Sequence, residues 1–217
     1  MLKIKKIVDL SHALTRDTPV YPGDPVPDFS VATTIEKEGY NLFNVVLGSQ
    51  TGSHVDAPYH FNNQGATIDR MGLGFFMGNG LIVDASHKKS KEEITLAELR
   101  EHEKRIEAVD IVLFRTDWYK KAGTAEFYEH PFLSKEAGEY LLGKGIRTAG
   151  IDAINLDNTG GTEFPIHEMF AQAGGIIAEN LANLDQVDFD SPFLIFLPLK
   201  LIGCDGSPVR AVAVELG

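Results

Sequence analysis

Residues 49–61, Ser-Gln-Thr-Gly-Ser-His-Val-Asp-Ala-Pro-Tyr-His-Phe, hold Gly52 and Pro58 close together, and that pair bars a regular helix through the stretch. Glycine loses the most backbone entropy in a helix, and proline lacks the N–H that a helix interior uses. The segment is therefore read as extended or looped. In an extended chain alternate side chains share a face. Gln50, His54, Asp56 and His60 then point one way, and Val55, Ala57, Tyr59 and Phe61 the other. One face is available to bind or react while the other packs.

The order His54-x-Asp56-x-Pro58-x-His60 differs from the His-Glu-x-x-His pattern, in which one helical face brings two imidazoles onto zinc. A strand-borne version is chemically sound, because side chains two residues apart on one face can share an ion or a substrate. Imidazole with carboxylate suits Zn²⁺ or Mn²⁺, and the absence of a thiolate cluster argues against a structural zinc knot. The competing reading is a loop whose polar side chains only satisfy nearby backbone groups.

Around this stretch the pattern alternates between strands and helices. Residues 4–10 read as a first strand, and residues 11–27 as a long ordered loop punctuated by Pro19, Pro22, Gly23, Pro25 and Pro27. Within that loop Tyr21 either walls a pocket or covers a core edge. Residues 29–36 and 42–47 are β-rich runs joined by a hairpin at 37–41. Residues 65–80 are rich in glycine and apolar side chains, and line a pocket, form core or meet another subunit.

Strands are expected at 80–84, 109–115 and 146–151. Thr95 and Glu98 have capping-box spacing for a helix running through His102, and Ser134 can cap a helix carrying Ala137, Tyr140 and Leu141. Residues 117–131 read as loop with a short turn at 119–121. Pro165 is placed to open a short helix, where its missing N–H costs nothing. His167 and Glu179 follow as candidate ligands, with Glu163 and Glu168 as competitors. Closing strands are expected at 193–199 and 209–214. His12 reads as a structural histidine.

Composition excludes several classes. A formal net charge of -11 opposes binding to nucleic acid or to an anionic membrane, since either needs a basic face. Cys204 is the single cysteine, so no intrachain disulfide forms and a reducing compartment fits. The start of the chain meets Asp9 before any apolar run long enough for a signal sequence, and the apolar run at 193–199 is far short of the ~20 residues of a membrane span. A cytoplasmic protein is expected. With 217 residues, no repeat and no linker, 1–217 reads as a single domain.

The run Gly52-Ser53-His54-Val55-Asp56-Ala57-Pro58-Tyr59-His60-Phe61 resembles the signature of the cyclase family of metal-dependent hydrolases, which includes bacterial kynurenine formamidase and isatin hydrolase. Residues 150–167 and 179–184 are similar to the second signature of that family. The resemblance implies an α/β single domain of swivelling β/β/α architecture, with a central barrel-like mixed sheet and peripheral helices. It implies metal ligation by His54, Asp56, His167 and Glu179, a proton shuttle at His60, and a homodimer or homotetramer.

Two positions depart from the family pattern. Gln50 stands where the family has a histidine, so one or two ions, zinc or manganese, are implied, with the second site compromised. Tyr21 occupies the place of a substrate-contacting tryptophan. The expected activity is hydrolysis of a C–N bond in a small amide, formamide or cyclic amide by metal-activated water. A metal-dependent lyase, dehydratase or cyclising enzyme is one rival, and a metal-holding small-molecule binding protein is another. Neither a Gly-x-Ser-x-Gly elbow nor a suitable cysteine setting is present for covalent catalysis.

Overall fold

The run Ile111-Val112-Leu113-Phe114 is apolar at every position because the strand it forms is covered on both faces, as parallel strands in α/β proteins are. The computed structural model describes residues 3–217; Met1 and Leu2, which the readings of the chain start and of a 1–217 domain include, lie outside the described residues. The strands are β1 (Ile4–Asp9), β2 (Asp28–Thr33), β3 (Leu42–Val46), β4 (His54–Asp56), β5 (Met77–Asp84), β6 (Glu93–Ile94) and β7 (Ile111–Arg115). They continue as β8 (Phe132–Leu133), β9 (Thr148–Ile151), β10 (Ile176–Glu179), β11 (Phe193–Ile195), β12 (Gly206–Pro208) and β13 (Val212–Leu216). The α-helices that follow β3 are α1 (Leu96–Arg100), α2 (Glu103–Ile106), α3 (Lys135–Gly143) and α4 (Pro165–Gln172).

Nine strands form one mixed sheet in the order β1-β13-β11-β5-β7-β9-β10-β4-β12. The β5-β7-β9-β10 centre is parallel, and antiparallel pairs flank it. The chain leaving β1 ties the two ends together. Leu10 N donates to Ala211 O at 2.8 Å, and Ala182 N donates to Leu10 O at 2.8 Å. The sheet is therefore curled and barrel-like, as the α/β expectation had it.

The period-two alternation of the strands divides the core in two. Val112, Phe114, Ile151 and Ile177 face the helical layer with Leu99, Leu141, Ile166 and Phe170. Ile111, Leu113, Ile176 and Ala178 face the inside of the curl with Val55, Phe76, Leu194 and Ala213. Burying one such large side chain contributes about 1.5–3 kcal/mol, so both faces hold the curl together. Within residues 65–80, Ile68 and Phe76 are core while Leu73 is exposed, and none of that segment lines the cavity that holds His54 and His60.

Several local expectations are corrected. The hairpin turn is a helical turn at Ile35–Glu38, ended by Gly39 at φ 83°. The helix opened by the Thr95 and Glu98 capping box stops at Arg100, and His102 starts a second piece. The short Gly206–Pro208 strand beside β4 has no apolar run to mark it in the sequence. The β2-β3 ribbon stands apart from the main sheet and leaves Val31, Phe43 and Val45 exposed. No helix among the described residues is long and apolar enough to cross a membrane.

Candidate metal centre and cavity

β4 lies between β10 and β12 and is antiparallel to both. In its pairing with β10, His54 is opposite Glu179 and Asp56 opposite Ile177. Directly opposed residues in a sheet share a face. His54, Asp56 and Glu179 therefore all point toward the helical layer, while Val55 enters the core on the other side. Gly52 makes the entry turn at φ +67°, and its carbonyl accepts a hydrogen bond from His54 Nδ1 at 2.8 Å.

His167 reaches the same point from α4. Pro165 opens that helix, and Asp157 holds its first turn: its carboxylate accepts from Ile166 N and His167 N, both at 3.0 Å, and from His167 Nδ1 at 2.7 Å. Both imidazoles thus have Nδ1 committed and Nε2 turned to the centre. His54 Nε2 is 3.5 Å from Asp56 and 3.7 Å from Glu179; His167 Nε2 is 3.4 Å from Asp56 and 3.3 Å from Glu179. All four are buried, at 3–5% exposure. The rivals Glu163 and Glu168 are exposed.

This donor set fits a divalent cation. Among the described residues, both oxygens of the buried Asp56 carboxylate lack a hydrogen-bond partner, a costly arrangement unless a positive charge sits against them. Donor atoms of His54, Asp56 and Glu179 lie within 4.8 Å of one another. No lysine or arginine lines the cavity above them among the described residues. Burial disfavours a charged His167, but the Glu179 carboxylate and the hydrogen bond that His167 donates to Asp157 outweigh this and raise its pKa well above the usual histidine value. An entering cation would displace that proton.

His60 does not arrive by strand alternation. After β4, Pro58–His60 forms a 3-10 turn that ends the extended run, and this swings His60 and Phe61 toward the cavity together. The expectation that Phe61 packs away from the site is thereby corrected. Its ring lies 4.7 Å from that of His167 and 4.8 Å from that of His60. His60 Nδ1 is 2.8 Å from Asp205 Oδ2. Burial lowers the His60 pKa, but the hydrogen bond to Asp205 and the charge of Asp56 more than offset it, and the net direction is upward.

Gln50 lines the same cavity as His54, His60, His167 and Glu179, with its amide turned to Asp205. Its Nε2 donates to Asp205 Oδ2 at 3.1 Å, and its Oε1 is buried without a partner. Tyr21, from the proline-rich loop, lines a cavity of about 220 Å³ with Phe61 and Phe164, and its ring stands edge-on to Phe164 at 6.5 Å. Tyr128 Oη fixes that loop by donating to Val20 O at 3.1 Å. Asp157, Phe164 and Asp205 were missed in the sequence reading. Asp205-Gly206 carries only a turn signal, and Asp157 only its distance of ten residues from His167.

A curled mixed sheet with a buried His-carboxylate cluster under an aromatic cavity defines a metal-dependent enzyme of the cyclase fold. The chain belongs to the cyclase family: residues 8–158 match the family model described as "Putative cyclase". It is 34% identical over 214 residues to kynurenine formamidase of Bacillus cytotoxicus, covering 97% of this chain and 98% of that protein. An isatin hydrolase bound to the product analogue thioisatinate superposes with a TM-score of 0.89 at 26% identity, covering 98% and 93% of the two chains. A protein from Bacillus stearothermophilus described as a "predicted metal-dependent hydrolase" gives 0.78 at 27% identity, with 99% and 98% covered.

Proposed function

We propose that this protein hydrolyses the C–N bond of a small, flat amide, formamide or cyclic amide, with His54, Asp56, His167 and Glu179 holding a divalent ion, zinc or manganese. The observation that carries this is the grouping of buried His54, Asp56 and Glu179, with His167 Nε2 3.4 Å from Asp56 and 3.3 Å from Glu179, and with both Asp56 oxygens lacking a hydrogen-bond partner among the described residues. When bound, such an ion polarises a carbonyl oxygen and acidifies water. The activities of the kynurenine formamidase and isatin hydrolase relatives support the same bond class.

The remaining work falls to the chain itself. His54 and His167 each commit Nδ1 to an acceptor, which fixes the tautomer and leaves the Nε2 lone pair for the ion. His60, at the cavity wall, takes a proton from the attacking water and returns it to the leaving nitrogen, a task suited to imidazole near neutrality. Tyr21, Phe61 and Phe164 form an apolar slot that holds a flat ring and excludes water. Gln50, engaged with Asp205, supports occupancy by one tightly held ion rather than two.

The test is metal analysis of the purified protein, with turnover of a panel of N-formylkynurenine, isatin and cyclic imides under Zn²⁺ and Mn²⁺. Hydrolysis that is lost in His60→Ala while metal content is kept supports the reading. Elimination products would favour a lyase, and saturable binding without turnover a binding protein. We also place the protein in the cytoplasm as a homodimer or homotetramer. The exposed apolar residues of the β2-β3 ribbon support association, and sedimentation velocity checks it.

A further inference from the structure

Asp205 lies far from His54 and Asp56 in sequence, yet its carboxylate is the near partner of His60 Nδ1, which also stands 3.4 Å from Gln50 Nε2. Oδ2 accepts from His60 Nδ1 at 2.8 Å and from Gln50 Nε2 at 3.1 Å, and Oδ1 accepts from Ser49 Oγ at 2.8 Å. The backbone is pinned as well, since Asp205 O accepts from Ala57 N at 2.8 Å, between Asp56 and the turn that carries His60. The next residue, Gly206, pairs with Asp56 and has no room for a side chain: a Cβ there would stand 2.6 Å from Gln50 Nε2 and 2.7 Å from Val55 O. The carboxylate is thus held from both of its oxygens and from its main chain.

We infer that Asp205 is the positioning residue for His60, holding the ring in the Nδ1–H tautomer with Nε2 unprotonated, and that Gln50 holds Asp205 in place for this. The inference rests on the reading of His60 as the proton carrier. A neutral imidazole has one donor nitrogen and one acceptor nitrogen, and the hydrogen bond made by one decides the state of the other. An acceptor fixed on Nδ1 makes Nε2 the atom able to take a proton. The arrangement also gives Gln50 a purpose in this chain. A side chain that donates to Asp205 tightens the pair, whereas an imidazole at that position would carry its own lone pair into the cluster.

A purely structural Asp205 would only staple the turn at Ser49 and Gln50 to β12, and it would leave the His60 tautomer alone. The experiment uses the zinc-loaded full chain, uniformly labelled with ¹⁵N-histidine, and the His60 signals are assigned by their loss in His60→Gln. The wild type is expected to show His60 as Nδ1–H with a strongly hydrogen-bonded proton. In Asp205→Ala the Nε2–H form should grow in, and for the amide turned over kcat should fall about 100-fold. KM should stay within about twofold, and zinc content should not change. Asp205→Asn can keep an oxygen toward His60 while the Ser49 hydroxyl turns to accept from its amide, so it should restore the tautomer and part of kcat.

A wild-type His60 in the Nε2–H form overturns the inference without reference to any variant. So does an Asp205→Ala protein with an unchanged tautomer and kcat. If the wild type shows the expected tautomer but turns over nothing in the amide panel, the proposed reaction fails while the positioning assignment stands.

Discussion

Glu179 stands directly opposite His54 in the antiparallel pairing of β10 with β4, with Glu179 Oε2 and His54 Nε2 3.7 Å apart. A one-residue slip of that register would turn Glu179 to the opposite face of the sheet. The grouping of His54 with Glu179 is therefore a property of strand register as much as of residue type, and its consequences can be measured.

Adding zinc or manganese to stripped protein should raise the unfolding free energy, by about 2.7 kcal/mol at a free concentration of 100 times Kd. Glu179→Gln keeps the Oε1 that accepts from Leu156 N at 2.6 Å, so the fold should survive. Most of the gain should vanish, because the carboxylate charge is gone. Thermal unfolding with and without metal reads this, and an undiminished gain in the variant would remove Glu179 from the ligand set.

Gln50→His should raise metal content above that of the wild type, because an imidazole donates to these ions far better than an amide. Metal analysis after exhaustive dialysis gives the stoichiometry. Two firmly bound ions in the unaltered protein would contradict the role given to Gln50.

Asp157→Ala removes the acceptor for Ile166 N, His167 N and His167 Nδ1 together. A loss of about 2–3 kcal/mol is expected from stranding buried donors, along with a roughly 10–100-fold weaker hold on metal from losing the partner that orients His167. Urea unfolding and competitive chelation measure the two separately. Weaker metal binding without loss of stability would show that Asp157 does not anchor α4.

Glu98 caps α1 by accepting from Thr95 N at 2.8 Å and pairs with Lys88. Burial raises its pKa, but the Lys88 and Thr95 hydrogen bonds win and lower it from 4.5 to about 2. A depressed carboxylate contributes stability that is fully present above its unfolded pKa and lost as pH falls through the folded value. Glu98→Gln should therefore cost about 1 kcal/mol at pH 7, and the cost should fade as pH falls from about 4.5 toward 2. A pH-independent difference in urea midpoints would show that the charge is not what matters.

Gly150→Ala places a methyl 2.8 Å from Leu113 Cδ2 and against Ala178 O in the neighbouring strand β10. Overpacking of this kind costs about 1–3 kcal/mol. Because β10 carries Glu179, metal affinity should fall with stability. An unaffected affinity would mean that β9 absorbs the strain alone.

Residues close in sequence announced their local geometry. Ser134 and Thr95 cap helices, Pro165 opens one, and the all-apolar Ile111-Val112-Leu113-Phe114 lies at the centre of the sheet. Four ligand candidates and Tyr21 were legible from residue type and motif, and the fold brings the four together with Tyr21 on the cavity wall. The strict alternation through residues 50–60 was not, because Pro58 starts a turn instead of prolonging the strand.

By itself the sequence determined which chemistry was on offer: imidazoles and carboxylates on a segment barred from helix, a core with strand and helix periods, and no cysteine framework. Only the tertiary structure decided that Glu179 faces His54, that Asp205 reaches His60, and that Gln50 turns to Asp205. The physical reason is range. Backbone preferences act over a few residues, whereas contacts such as His60 with Asp205, 145 positions apart, follow from the curl and register of the sheet. Those are set by burying both of its faces at once, which no local stretch encodes.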